Sequence, residues 1–183
     1  MRGPAAVGDA WHVGIVTVAV EDTRAVLDVF GIPGRRRFHT GRMLVPGGVT
    51  YLVAAPPADT DGVAATLTEL CTRYDPPVLA QVGGDRGSRD VLVRCAREPV
   101  ESAVDAFFAA AGEPAGLPGF RGDTPFLVRR SVRDGGDLPR FCATATRRRG
   151  GKPLAWAVVH GGTAREAAQT LRYLVTYLRP RMP

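Results

Sequence analysis

Residues 129–137, RRSVRDGGD, place two carboxylates, Asp134 and Asp137, around a glycine pair just where the hydrophobic stretch TPFLVRR runs out. A carboxyl group held at a strand end can act as a general acid or base, contributing about 10²–10⁴-fold when it is positioned on the reacting atom. The plainer reading is a turn, because Asp and Gly favour turns for local backbone reasons. Two other polar segments raise the same question: Glu21–Asp22, at the end of HVGIVTVAV, and the glycine-rich GGDRG at Gly83–Gly87, which follows PPVLAQV. Glu101, in PVESAVDAF, is a further acid. The plain reading of Glu21, Asp22 and Glu101 is a first-turn acid that complements a helix dipole. His12, His39 and His160 are dispersed, His160 reading as a strand end before Gly161–Gly162, and Ser88 and Ser131 lack a nucleophile-elbow context, so no triad is legible. Cys71, Cys95 and Cys142 lie far apart without ligand or disulfide spacing. They point to neither a metal site nor a disulfide framework, and Cys71 and Cys95 read as small buried thiols.

Positioning such groups requires a rigid frame. The chain has 183 residues, 45% hydrophobic and 23% charged, which suits one domain with a sizeable core. No apolar run approaches the ~20 residues that span a bilayer, and MRGPAAVGDAWHVG lacks the apolar region of a secretory signal, so a cytoplasmic location without membrane attachment is expected. The net charge of +6 suggests nucleic acid as a partner. Against this, Arg35–Arg37 and Arg147–Arg149 are short, sit beside glycines and lack interleaved aromatics, so they read as solvated loops.

Residues 12–20 form a continuous β-branched run suited to a strand buried on both faces. EDTRAVLDVF (21–30) then reads as a helix ended by Gly31 and Pro33. RRFHTGRMLV and GGVTYLVAA form a hairpin about the Pro46–Gly48 turn. A helix near 61–74 and strands PPVLAQVGG and RDVLVRCA follow, then a helix over 99–112 with Pro first and Gly last. Phe107 and Phe108 of that helix read as core. EPAGLPGFRGD reads as a loop and TPFLVRRSV as a strand. Within 138–162 only PLAWAVVH is assigned, as an added strand. Thr163 caps a last helix, AREAAQTLRYLVTYL, stopped by Pro180. Strands alternating with helices predict an α/β fold: one domain over 12–180 after an extension at 1–11, in three layers with a central mixed, mostly parallel sheet. Ligands on such sheets gather at the carboxyl ends of the strands, where Glu21–Asp22, Gly83–Gly87 and Arg133–Asp137 fall.

The order of these blocks resembles the nucleoside phosphorylase and methylthioadenosine/S-adenosylhomocysteine nucleosidase superfamily. VGIVTVAVED resembles its opening strand with a terminal acidic pair, DGVAATLTELCTRYDPPVLAQVGG its helix–strand–glycine block, and FLVRRSVRDGGD its late strand ending R-x-[IV]-S-D-x-A-D. The resemblance implies that Asp134 is the acid on the departing purine. It likewise implies that Asp22, or Glu21 beside it, activates water and that Glu101 binds ribose, with Gly83, Gly84 and Arg133 as further substrate-binding residues. It further implies hydrolysis of a purine nucleoside's N-glycosidic bond, no cofactor, and self-association into a homo-oligomer. Cleavage of that bond passes through an oxocarbenium-like state, which calls for an acid on the leaving group and a base for water. The sequence departs from the pattern at Arg133, where serine is usual, at GGDRG, and in a shortened stretch between Val93 and Glu101. A close guanidinium holds a carboxylate ionised. Two readings therefore stand: a small-molecule nucleosidase, or a member without catalysis that serves as a nucleoside-binding sensor or protein-interaction module.

Overall fold

The computed structural model describes residues 11–34, 37–58, 62–84, 87–119, 124–132, 135–148 and 154–178. Its eight strands are β1 (Val13–Thr17), β2 (His39–Val45), β3 (Gly48–Ala54), β4 (Val78–Val82), β5 (Val91–Ala96), β6 (Ala115–Leu117), β7 (Phe126–Arg130) and β8 (Ala155–His160). They form one sheet in the order β2-β3-β1-β4-β8-β5-β7-β6. Its helices are α1 (Val20–Phe30), α2 (Val63–Tyr74), α3 (Val100–Ala111), α4 (Asp137–Arg148) and α5 (Ala164–Tyr177). Pairings β1–β3, β1–β4, β4–β8 and β5–β7 are parallel, while β2–β3, β5–β8 and β6–β7 are antiparallel. The sheet is mixed and mostly parallel, as the alternation of elements predicts. Among the described residues no helix is long and apolar enough to cross a membrane.

The β-branched content of β1 follows from its place in the sheet. All five of its residues are buried, because helices cover both faces. On one face α1, α3 and α5 bury Val26, Phe107 and Leu171 against Ile15, Ala80 and Val159. On the other α2 and α4 bury Leu67, Leu70 and Leu138 against Val16, Leu79 and Val158. Gly14 lets α2 approach closely, since a Cβ there would lie 2.6 Å from Leu70 Cδ2. The two phenylalanines of α3 belong to the core as expected: Phe107 is 1% and Phe108 4% exposed.

Three sequence readings need correction. The first strand stops at Thr17 instead of running to Val20, because Val20, Glu21 and Asp22 already form the first turn of α1. The second correction is α4, unforeseen in 138–162, which buries Leu138 and Cys142 and half-buries Phe141 and Ala145 at helical spacing. Third, EPAGLPGFRGD contains β6, a three-residue edge strand paired antiparallel to β7. The expected cap of α5 is present: Thr163 Oγ1 accepts from the Glu166 N–H at 3.1 Å, and Glu166 Oε2 accepts from the Thr163 N–H at 2.8 Å. Pro180 and the extension at 1–10 lie outside the described residues.

Candidate functional site

Strand direction decides which of the candidate residues can meet. Thr17 pairs with Val82 and Val82 with Val159, so β1, β4 and β8 end together. The exit of β3 joins them, because the Ala55 and Ala58 N–H groups donate to the Ile15 and Thr17 carbonyls. β5 runs the other way, entering at this end with Leu92 opposite His160 and leaving with Ala96 opposite Trp156.

Asp22 and Gly83 meet at the shared end. Asp22 stands on the first turn of α1, 1% exposed, and its Oδ2 accepts the Ala19 N–H at 3.0 Å. This is half of a capping box, since Ala19 offers no side-chain acceptor in return. Thr23 lies beside it, with its Oγ1 2.5 Å from Thr17 Oγ1 in a buried hydroxyl pair. Gly83 leaves β4 at φ +92, and a Cβ added there would sit 2.1 Å from Asp22 Oδ2. The carboxylate therefore packs directly on the glycine, and only a residue without a side chain fits. The Gly83 N–H donates to the Val159 carbonyl at 3.0 Å, which fixes the turn to β8. Gly84, at φ +122, continues it. Glu21, on the preceding helical position, is exposed.

In front of Gly83 and Gly84 lies a cavity of about 340 Å³, bordered also by Gln81, Arg94, Gly136, Asp137 and His160. That is within the size range of small-molecule sites. Gln81 Nε2 donates to the Gly83 carbonyl at 3.3 Å. His160, 4% exposed, ends β8 on the same face as Val158. Arg94 comes from β5, and its Nη1 donates to the Gly135 carbonyl at 2.6 Å. A larger hollow of about 530 Å³ runs between α2 and α4 past Thr68, Cys71, Arg140 and Phe141. It lies along the helix flanks away from the strand ends, and the smaller cavity is the better chemical candidate.

The other expected residues fall differently. Arg133 and Asp134 lie outside the described residues, while Gly135, Gly136 and Asp137, which follow them, line the cavity. Glu101 does not join Asp22. It is in the first turn of α3, which follows the far end of β5, and its N–H donates to the Arg97 carbonyl. Five strand residues separate the two ends, roughly 16 Å. There Glu101 acts on Cys95, whose thiol is pushed up to about 11 by burial first and by the Glu101 charge second. Gln81, Arg94 and His160 are polar cavity residues that the sequence reading did not single out as ligand contacts. A guanidinium between apolar Val93 and Cys95 in a central strand was the available signal. Among the described residues no three His, Cys, Asp or Glu side chains gather where they could hold a metal.

No protein-family model matches the sequence. No curated protein matches it either. Solved structures do match in three dimensions. Futalosine hydrolase of Helicobacter pylori superposes with a TM-score of 0.53 at 9% identity, covering 91% of this chain and 97% of that one. The chain shares the fold of that hydrolase. The 5′-methylthioadenosine/S-adenosylhomocysteine nucleosidase of Helicobacter pylori, solved with butyl-thio-DADMe-Immucillin-A, gives a TM-score of 0.54 at 11% identity, over 90% of this chain and 97% of that one. The Campylobacter jejuni enzyme of the same name gives 0.53 at 7% identity, over 92% and 98%. Each matched chain is covered almost end to end, so the likeness extends to the whole fold. At such identities it speaks for architecture, and the chemistry must come from the site.

Proposed function

We infer that the protein is a nucleosidase-type hydrolase that binds a purine-nucleoside-type ligand in the strand-end cavity and cleaves its N-glycosidic bond. The observation that carries this reading is the cavity at the carboxyl ends of β1 and β4, lined by Gly83 and Gly84, with the buried Asp22 carboxylate packed behind Gly83. In the proposed reaction the C1′–N bond breaks and its electron pair leaves with the base. Asp134 protonates the base nitrogen. A water oxygen bonds to C1′ of the oxocarbenium-like sugar, and Asp22 takes the water's proton. Glu21 is exposed, which leaves Asp22 as the water-side acid. Glu101, at the far end of the sheet, takes no part, so sugar contacts fall to cavity residues such as Gln81 and His160.

Incubating the purified protein with a panel of purine nucleosides, and following free base by chromatography, tests this directly. Release by the wild type, with a loss of about 10²-fold or more in Asp134→Asn, supports the reading; no release from any substrate rejects it. A second reading has its own observation: Asp22 serves as a helix cap through the Ala19 N–H. A nucleoside-binding sensor would need no more than that from it. Thermal stabilisation by a nucleoside without turnover identifies this case.

A further inference from the structure

Three polar side chains, Thr17, Asp22 and Thr23, are buried together where β1 passes into α1. Burying such groups is costly unless they are hydrogen-bonded. Their bonds converge on Ala19, the N-cap of α1. An N-cap is usually Ser, Thr, Asp or Asn, whose own oxygen fixes the helix start. Ala19 has no such oxygen, and its backbone is gripped from both sides instead. Its N–H donates to Asp22 Oδ2 at 3.0 Å. Its carbonyl accepts from the Thr23 N–H at 3.2 Å and from Thr23 Oγ1 at 3.4 Å. A hydroxyl has one proton, so with that of Thr23 on the Ala19 carbonyl, the contact between the two hydroxyls is Thr17 donating to Thr23. Thr17 is pinned in turn, because its carbonyl accepts the Ala58 N–H at 3.0 Å. A helical threonine bonded to its i−4 carbonyl is ordinary. A second buried threonine at the strand end, bonded to the same hydroxyl, is not needed for that. Neither threonine lines the strand-end cavity, so their effect on a reaction there passes through Asp22.

We propose that Thr17 and Thr23 are positioning residues for Asp22: the hydroxyl pair fixes the Ala19 turn, and that turn aims the carboxylate. Gly83 bounds the carboxylate on the β4 side, and the Ala19 N–H holds it from the α1 side. The proposal rests on the reading of Asp22 as the group that takes the water's proton, and it assigns two further residues to that role.

The experiment compares the wild type with Thr23→Val, Thr23→Ser and the double variant Thr17→Val/Thr23→Val. Release of free base from a purine nucleoside gives kcat and KM, NMR of isotopically labelled protein reads the Ala19 amide proton, and urea denaturation gives stability. Thr23→Val keeps the shape, removes the hydroxyl and leaves that of Thr17 without its partner. Its kcat should fall about 10–100-fold, the scale of a misplaced reacting group, with KM little changed and the Ala19 amide proton shifted. Thr23→Ser returns the hydroxyl and should restore both. The double variant separates positioning from packing. With both hydroxyls replaced by methyl groups, the stability lost in Thr23→Val should largely return, while the fall in kcat and the shifted amide persist. A double variant that recovers turnover together with stability overturns the proposal. A Thr23→Val protein whose turnover or Ala19 amide matches the wild type overturns it too, and so does a loss that falls on KM instead of kcat. In each of these cases base release by the wild type leaves the nucleosidase reading intact. No release by the wild type sinks hydrolysis and the positioning role with it. Should Thr23→Val fail to fold, the double variant decides alone, and wild-type turnover in it overturns the proposal.

Discussion

Replacing Gly83 by alanine would test the join between Asp22 and the end of β4. The added Cβ meets two obstacles. Gly83 sits at φ +92, which costs an L-residue roughly 1–2 kcal/mol. The Cβ would also lie 2.1 Å from Asp22 Oδ2, so the carboxylate must leave its place. Displacement breaks its bond to the Ala19 N–H, and a hydrogen bond to a charged group contributes about 1.5–3 kcal/mol. The sum is about 3–5 kcal/mol, a large share of the ~5–15 kcal/mol that holds a typical domain together. For a chain of this length it corresponds to a fall in Tm of roughly 6–20 °C. Urea denaturation of the wild type, Gly83→Ala, Asp22→Ala and the double variant measures the coupling. With Asp22 already removed, the alanine should cost only its backbone part, about 1–2 kcal/mol. The reasoning is refuted if Gly83→Ala costs the same with and without Asp22. A cost under about 0.5 kcal/mol in the wild-type background, the scale of an inert substitution, would refute it too.

Further outcomes follow from the same packing. Thr163→Ala should cost about 1 kcal/mol in denaturant titration and Thr163→Ser close to nothing, because the hydroxyl caps α5. Phe107→Ala, at 1% exposure, should cost about 3–5 kcal/mol through lost burial and the cavity left behind. Burial pushes the Cys142 thiol up to about 12 and the Cys95 thiol up to about 11, against 9.0 for a free thiol. At pH 8 both should alkylate more slowly in native than in denatured protein, by about 1000-fold and 100-fold from the thiolate fraction alone. The sign for stability is fixed: a folded pKa above the unfolded one gives a contribution intact below pH 9.0 and lost as pH rises toward 11 and 12. Urea stability of the wild type should therefore fall between pH 8 and 11, and fall less in Cys142→Ala.

Much of the frame was legible because local signals agreed with tertiary demand. The β-branched run of β1 reflects burial on both faces, and the Thr163–Glu166 box marks the start of α5. Where the signals conflicted, the elements were lost. In α4 the spacing of Leu138, Phe141, Cys142 and Ala145 is helical, but Pro139 and the two threonines, Thr144 and Thr146, obscure it. Pro114, Gly116 and Pro118 speak for a loop, yet Ala115–Leu117 gains strand geometry by pairing with β7. The site was legible only in part for a different reason. Asp22 and Gly83 follow strands that run in parallel, so reading each strand end in sequence brings them together. Glu101 follows β5, whose reversal against β8 carries it to the opposite end. Arg94 faces the cavity because its register partner on β8 is Val158, two residues from His160 on the same face, a neighbourhood that no spacing along the chain records.

The most direct measurement is a crystal structure of the protein soaked with a purine nucleoside. The account predicts ligand density in the cavity bordered by Gly83, Arg94 and His160, with the sugar turned toward Gly83 and the Asp22 carboxylate packed behind it. Density in the groove between α2 and α4 instead, or a cavity that stays empty at saturating ligand, would contradict it.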